Sequence, residues 1–190
     1  PKVSIVVLTW NSGPDALVCL DSVLAMDYPD YEVVIVDNGS EEPFFWEIAN
    51  WLAKKGCDWG FVNICSPAWS DLRWLEEARP ASCHTHVCLV ETGRNLGFTG
   101  GNNVGIAHAL QRGSAYVLIL NPDTKVSRDA LRKMVETAER EPKVGLVGCK
   151  MSATSDPARI TYAGGNLNFW LGIHGPYPPR AHEGGEAPVN

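Results

Sequence analysis

No stretch of this sequence is apolar for long enough to cross a bilayer, which takes roughly 20 residues. Purely apolar runs such as Ile5–Leu8 and Val117–Leu120 have the length of buried strands. Positive charge is also sparse. The 16 Lys and Arg residues against 22 Asp and Glu leave a net charge of -6, and no basic run exists to neutralise a phosphate backbone, so nucleic acid is excluded as a partner. The six cysteines, Cys19, Cys57, Cys65, Cys83, Cys88 and Cys149, form no CxxC pair and lack the regular spacing of a disulfide scaffold. That usage fits a reducing cytoplasm, with at most peripheral attachment at the inner face of a membrane. No charged start with an apolar stretch and cleavage site follows Pro1, so nothing suggests secretion. The absent initiating Met points to a processed or excised chain. Two nucleotide-binding signatures are missing as well. No GxGxxG follows the first strand, which removes a nicotinamide dehydrogenase, and no GxxxxGK[ST] occurs, which removes a P-loop nucleotidase.

What is present is an alternation. Lys2 to Thr9 is a continuous β-branched run, typical of a parallel strand covered on both faces. Ser12 can cap a helix with Pro14 and Asp15 in its first turn and Leu17, Leu20 and Leu24 along one face. Tyr31 to Val36 is a second strand, and a helix carrying Phe45, Ile48 and Leu52 runs from near Pro43 to Gly56. Strands at 87–90, 116–120 and 144–147 and helices at 102–112 and 128–139 continue the pattern. Strands alternating with helices predict an α/β fold, an open and mostly parallel twisted sheet with helices on both faces. Two regions break the rhythm. Residues 57–86 read as an insertion with one short helix near 71–77, and residues 171–190 as a loop or frayed end after a domain spanning 1–170.

In such a sheet ligands bind beyond the carboxyl ends of the strands. The residues found there are Thr9-Trp10-Asn11, Asp37-Asn38-Gly39-Ser40, Thr92-Gly93-Arg94-Asn95 and Asn121-Pro122-Asp123-Thr124, all suited to hydrogen-bonding a nucleotide. Asp37 can accept from a base N–H or from ribose hydroxyls, Arg94 can offset phosphate charge, and Asp123 can hold a divalent cation against a diphosphate. Gly97 to Gly101 let backbone N–H groups approach an anion at a helix start. The bland alternatives are turn residues bonded to their own backbone, a tight strand-to-helix connection, and a solvated arginine. Trp10 fits a pocket wall or a core equally well. His84, His86 and Cys88 can share a strand face, but their spacing matches no common structural zinc pattern, and an ordinary reduced segment is the better reading. His108 reads as structural.

Four motifs in order carry a resemblance. Val3-Ser4-Ile5-Val6-Val7-Leu8-Thr9-Trp10-Asn11, Val34-Ile35-Val36-Asp37-Asn38-Gly39-Ser40, Asn95-Leu96-Gly97-Phe98-Thr99-Gly100-Gly101-Asn102-Asn103 and Leu118-Ile119-Leu120-Asn121-Pro122-Asp123-Thr124 together resemble family 2 glycosyltransferases of the GT-A fold. The resemblance covers about residues 2–170 apart from the insertion and looks closest to the rhamnosyl- and galactofuranosyl-transferase-like branch. It implies an inverting enzyme that moves a sugar from a UDP- or dTDP-sugar to a saccharide or lipid-linked acceptor in polysaccharide or glycolipid synthesis. It also implies that Thr9, Asn11, Asp37, Arg94, Asn95, Gly100, Asn102, Asn121 and Asp123 line the donor site. Asn121-Pro122-Asp123 stands where the family has a metal-binding Asp-x-Asp, which leaves Asp123 as the firm carboxylate ligand for Mg2+ or Mn2+. The family's acidic motif for the general base lies well downstream of the glycine pair matched by Gly164-Gly165. It is expected beyond residue 190, making this chain a truncated, donor-binding part. The alternative is a non-catalytic nucleotide-sugar-binding module, and an acidic motif further along the parent gene would decide between them.

Overall fold

Every position of β1 (Val3–Thr9) is buried, because the strand has a parallel neighbour on each flank and cover on both faces. β2 (Tyr31–Asp37) pairs with it along its whole length on one side, and β5 (Tyr116–Leu120) pairs on the other. Beyond β2 the sheet continues through β4 (Val87–Glu91) to β3 (Trp59–Asn63) at the edge. The order β3-β4-β2-β1-β5 is parallel throughout, so each connection must cross over the sheet. α1 (Gly13–Leu24), α2 (Glu42–Lys55) and α3 (Gly97–Gln111) lie in three of those crossovers. This computed structural model describes residues 1–64, 86–153, 156–168 and 173–176.

The period of two divides the strands between two cores. Val6, Leu8, Val34, Val36, Cys88 and Val90 face one way and pack with Val104 of α3. Ile5, Val7, Val33, Ile35 and Leu89 face the other way and are equally buried. α1 buries a stripe of Ala16, Cys19, Leu20 and Val23 and packs against α2. α3 seats closely on β1 through glycines. A Cβ on Gly105 would lie 2.3 Å from Val6 Cγ1, and one on Gly101 would lie 2.4 Å from Leu8 Cδ1. Only a bare backbone permits that approach.

The amino-terminal edge of the sheet is tied by one buried carboxylate. Glu32 accepts from the Ser4 hydroxyl at 2.5 Å and pairs with Lys2 at 3.1 Å and Arg112 at 3.0 Å. Burial pushes its carboxyl up, but the hydrogen bonds from Ser4, Lys2 and Arg112 prevail and hold it below the ordinary carboxylate range. His108 is buried beside this group, and burial lowers its pKa so that it stays neutral.

The chain divides into two compact units, Pro1–Asp129, which holds the parallel sheet, and Ala130–Asn190. The second contains α4 (Ala130–Arg140), an antiparallel pair of β6 (Met151–Ala153) and β7 (Asp156–Tyr162), and another of β8 (Gly165–Asn168) and β9 (Ile173–Pro176). Among the described residues no helix is long and apolar enough to cross a membrane.

Several elements differ from expectation. β3 occupies Trp59–Asn63, inside the stretch read as irregular from residue 57; an edge strand with one aromatic at each of two alternate positions gave too short a pattern to register. The short helix expected near 71–77 lies outside the described residues. α3 starts at Gly97 rather than 102, because its glycines conceal the first turn from any propensity scale. Residues 144–147 form no strand; Gly145 and Gly148 weaken that segment, and Leu146 is exposed. β9 places paired strand inside the 171–190 stretch read as loop. Ser12 stands at the start of α1 without a side-chain cap bond; its hydroxyl donates to the Trp10 carbonyl instead.

Gly105→Ala is expected to destabilise the chain by about 1–3 kcal/mol through overpacking against Val6. A lower urea midpoint with unchanged slope is the readout. An unchanged midpoint would mean that α3 is not seated on β1 as described.

Candidate functional site

Parallel register brings the last residues of four strands into one row. Thr9 stands opposite Asp37, Asp37 opposite Glu91, and Glu91 opposite Asn63. Residues paired in this way share a face of the sheet, so a polar row closes the apolar strands at their carboxyl ends. Asn121 follows β5 on the other flank of β1. Asp37 and the Asn121-Pro122-Asp123 turn therefore lie at the same edge, about 10 Å apart by two strand spacings.

Asp37 is the most demanding residue of the row. It is 1% exposed, yet only one of its oxygens is engaged. Oδ2 accepts from the Ser40 backbone N–H at 3.3 Å, while Oδ1 is buried with no partner. Burial pushes its carboxyl above the ordinary aspartate range, against the smaller opposing effect of the Ser40 hydrogen bonds. Glu91 is pushed up too, first by burial and then by the charge of Asp37. Its Oε2 accepts from Asn63 Nδ2 at 2.7 Å.

The loops around Asp37 are fixed by side-chain to backbone bonds. Asn38 donates from Nδ2 to Asn95 Oδ1 at 3.1 Å and to the Gly97 carbonyl at 3.2 Å, and its Oδ1 accepts from the Leu96 N–H at 3.0 Å. Asn95 Oδ1 also accepts from the Gly97 N–H at 2.8 Å. Gly39, at φ +73°, passes so near the next loop that a Cβ would lie 2.4 Å from the Arg94 carbonyl carbon. The Thr92 N–H donates to the Asp37 carbonyl at 3.0 Å, and the one proton of its hydroxyl lies between the Arg94 carbonyl at 2.8 Å and the Asp37 carbonyl at 3.0 Å. On the near side Asn11, at φ 50°, has its N–H on Ser40 Oγ at 2.9 Å and its Oδ1 on the Glu41 N–H at 2.9 Å. These bonds leave little freedom for the floor around Asp37.

The candidate residues thus separate by location. Asp37, Asn95 and Asn11 belong to one bonded cluster. Thr9 is buried and turns its hydroxyl to the Val36 carbonyl at 3.3 Å. Arg94 is exposed beside the cluster, and Gly100 lies in the first turn of α3, which holds no acidic residue. Asn102 bonds inside α3, donating to the Phe98 carbonyl at 2.9 Å, and its Oδ1 is buried without a partner. Asn121 and Asp123 are exposed on the far flank, on a turn closed by the Thr124 N–H on the Asn121 carbonyl at 3.2 Å. Trp10 is 55% exposed, which removes the core reading. Cys88 points into the apolar core beside Val90, and His86 stacks edge-on against Tyr31. His84 lies outside the described residues. Asn38 and Thr92 stood in the expected strand-end set without a role of their own, and Glu91 was not expected there. Their place directly at strand ends was readable, but the partners that give them roles are 50 or more positions away in the chain for Asn38 and Thr92.

Comparison with known sequences decides the family. The model of "Glycosyl transferase family 2" matches residues 4–65 and 74–183. The chain belongs to glycosyl transferase family 2. It is 30% identical over 107 residues to the low-salt glycan biosynthesis hexosyltransferase Agl10 of Haloferax volcanii, covering 55% of this chain and 31% of that protein. It is 26% identical over 145 residues to the poly-beta-1,6-N-acetyl-D-glucosamine synthase of Staphylococcus epidermidis, covering 76% of this chain and 27% of that protein. The chain thus spans about a third or less of these curated relatives. Among solved structures, the mannosyltransferase PcManGT from Pyrobaculum calidifontis, in complex with GDP-Man and Mn2+, aligns at TM-score 0.55 with 24% identity, over 83% of this chain and 37% of that one. TarS 1-349 of S. aureus aligns at TM-score 0.50 with 17% identity, over 80% and 39%. These likenesses show the GT-A-like fold.

Because Asp37 is easier to protonate folded than unfolded, its ionised form opposes folding once the pH rises above the ordinary value of 3.8. Asp37→Asn is therefore expected to be more stable than the parent chain at pH 7, and the advantage should vanish under acid. Urea midpoints at pH 7 and in acid test this. A variant less stable at pH 7 would contradict the strained state assigned to Asp37.

Proposed function

We propose that this chain is the donor-binding part of an inverting glycosyltransferase that takes a sugar from a nucleoside-diphosphate sugar for glycan synthesis. The observation that carries the reading is the unpaired Oδ1 of Asp37, a buried acceptor fixed at the edge where open α/β sheets bind ligands. A group that opposes folding is retained where a ligand N–H or hydroxyl can satisfy it. In this reading Asp37 receives a base N–H, with Thr9 and Asn11 shaping the floor below the nucleoside. The first turn of α3, carrying Gly100 and preceding Asn102, supplies a helix amino terminus for the diphosphate, with Arg94 and Asn95 beside it. Asn121 and Asp123 meet the far end of the donor. The four motifs taken together resemble the rhamnosyl- and galactofuranosyl-transferase-like branch, which is part of this proposal.

Among the described residues no three His, Cys, Asp or Glu side chains gather as a metal site. A lone exposed carboxylate still fits Mg2+ or Mn2+, ions that commonly take one or two carboxylates and complete their shell with phosphate oxygens and water. Asp123 is the residue that would hold the ion, whose charge would stabilise the diphosphate as it leaves. The transfer itself is a displacement: the acceptor oxygen bonds to the anomeric carbon, the bond to the diphosphate breaks with its electron pair, and the acceptor proton passes to a base. That base is proposed to belong to a part of the polypeptide outside residues 1–190, consistent with the fraction of Agl10 that this chain matches. The acceptor is proposed to be a saccharide or a lipid-linked one, met at the inner face of a membrane.

Calorimetry with UDP, dTDP and GDP, with Mn2+ and with chelator, is expected to show diphosphate binding that needs the cation; equal affinity in both conditions removes the ion from the reading. Asp37→Ala should weaken nucleoside and diphosphate alike, and Asp123→Ala only the diphosphate, each by about 1.5–3 kcal/mol. Identical responses to free nucleoside would show the two ends wrongly assigned. With a labelled donor sugar, residues 1–190 should bind without transferring, and the chain extended through a downstream acidic motif should transfer. Loss of the base commonly costs roughly 10²–10⁴-fold. Robust transfer by residues 1–190 would place the base on a carboxylate within it, such as Glu91 or Asp156.

A further inference from the structure

The turn that carries Asp123 has no regular structure of its own. Between the end of β5 and Asp129 the backbone is turn and coil. It is nevertheless fastened at four points along one helix and its exit. Cys19 of α1 donates from Sγ to the Asn121 carbonyl at 3.5 Å. Ser22, one turn further, accepts the Val126 N–H on its hydroxyl at 3.1 Å. The Ala25 carbonyl accepts from Arg128 Nε at 3.2 Å, and the Asp27 N–H donates to the Arg128 carbonyl at 2.7 Å. Positions 19, 22 and 25 are three residues apart, so they lie along one side of the helix, in the same order as their partners at 121, 126 and 128.

The two side chains in this row suit the task. Cys19 is fully buried, and its Sγ meets the 121–124 turn at the Asn121 carbonyl. Ser22 donates its own proton to the Cys19 carbonyl at 2.7 Å. That bond orients the hydroxyl lone pairs, leaving them free to accept from Val126. Loop amides that would otherwise bond to water are thus used to set the loop's height over the sheet edge.

We propose that Ser22 and Cys19 are positioning residues for Asp123, holding the turn at the height at which its carboxylate meets the diphosphate end of the donor. The proposal rests on the donor reading above. Neither residue touches the ligand. Their removal should lower affinity for the diphosphate end alone, because the Asp37 cluster is built from other loops.

Ser22→Ala, Ser22→Thr, Cys19→Ala and Asp123→Ala are compared with the parent chain by calorimetry with UDP and GDP in Mn2+, and by NMR titration with uridine and guanosine. Ser22 is half-buried, so its alanine variant should fold, and faster hydrogen exchange at the Val126 amide will confirm that the bond is gone. The expected result is a loss of about three- to tenfold in diphosphate affinity for Ser22→Ala and Cys19→Ala. Ser22→Thr, which keeps the hydroxyl, should restore it, and nucleoside affinity should not move. A merely structural role would lower both affinities together, and that outcome overturns the proposal. Diphosphate affinity that falls in Asp123→Ala but not in the Ser22 and Cys19 variants overturns it while leaving the donor reading intact. No effect of Asp123→Ala, or no diphosphate binding by the parent chain, overturns both.

Discussion

The parallel pairing of β1 with both β2 and β5 is the constraint on which the molecule depends. With two flanks hydrogen-bonded and both faces covered, β1 can hold only apolar side chains or polar ones with a bonded partner. The same register that buries it brings Thr9, Asp37 and Glu91 into line at one edge and starts the Asn121 turn on the other flank. Away from that edge the strands keep buried polar side chains only in bonded groups, such as Ser4 with Glu32. The close seating of α3 at Gly101 and Gly105 extends the effect, carrying a helix start to the same edge.

Rigidity and strain are distributed unevenly there. Asn38 has both side-chain atoms engaged with the loop from Asn95 to Gly97, and Gly39 is shaped to let the Arg94 backbone pass. This bonded floor offsets what Asp37 lacks. A carboxylate buried with one free oxygen raises the energy of its charged form, and only a stiff surround keeps it from turning toward water. The far flank is organised differently. Asp123 is exposed, on irregular backbone, and its placement depends on bonds from α1 rather than on the strands.

Much of this was legible in the residues themselves. The apolar runs marked β1, β2, β4 and β5, because continuous apolar residues stand out even where a strand is only half-buried, as β5 is, or carries a paired polar residue such as Ser4 or Glu32. Their ends gave the polar edge, since ligand sites in such sheets follow the strands. Three kinds of information were not legible. β3 is short and half-exposed, so its period is weak. The start of α3 is hidden by Gly97, Gly100 and Gly101, which propensity counts against a helix, although Gly101 is seated there by close packing on Leu8. The roles of Asn38, Thr92 and Ser22 rest on partners 57, 55 and 104 positions distant, contacts that only the folded chain makes. Ser12 illustrates the converse: a residue of the right type at a helix start whose hydroxyl found a nearer carbonyl.

We propose that the unpaired oxygen of Asp37 receives the base of a nucleoside-diphosphate sugar. A crystal structure of the chain with a nucleoside diphosphate and Mn2+ tests it most directly. The expected result is a base N–H at about 3 Å from Asp37 Oδ1, with the phosphates running past the start of α3 toward Asp123. A nucleotide bound elsewhere, or one whose base leaves Oδ1 unpaired, would contradict it.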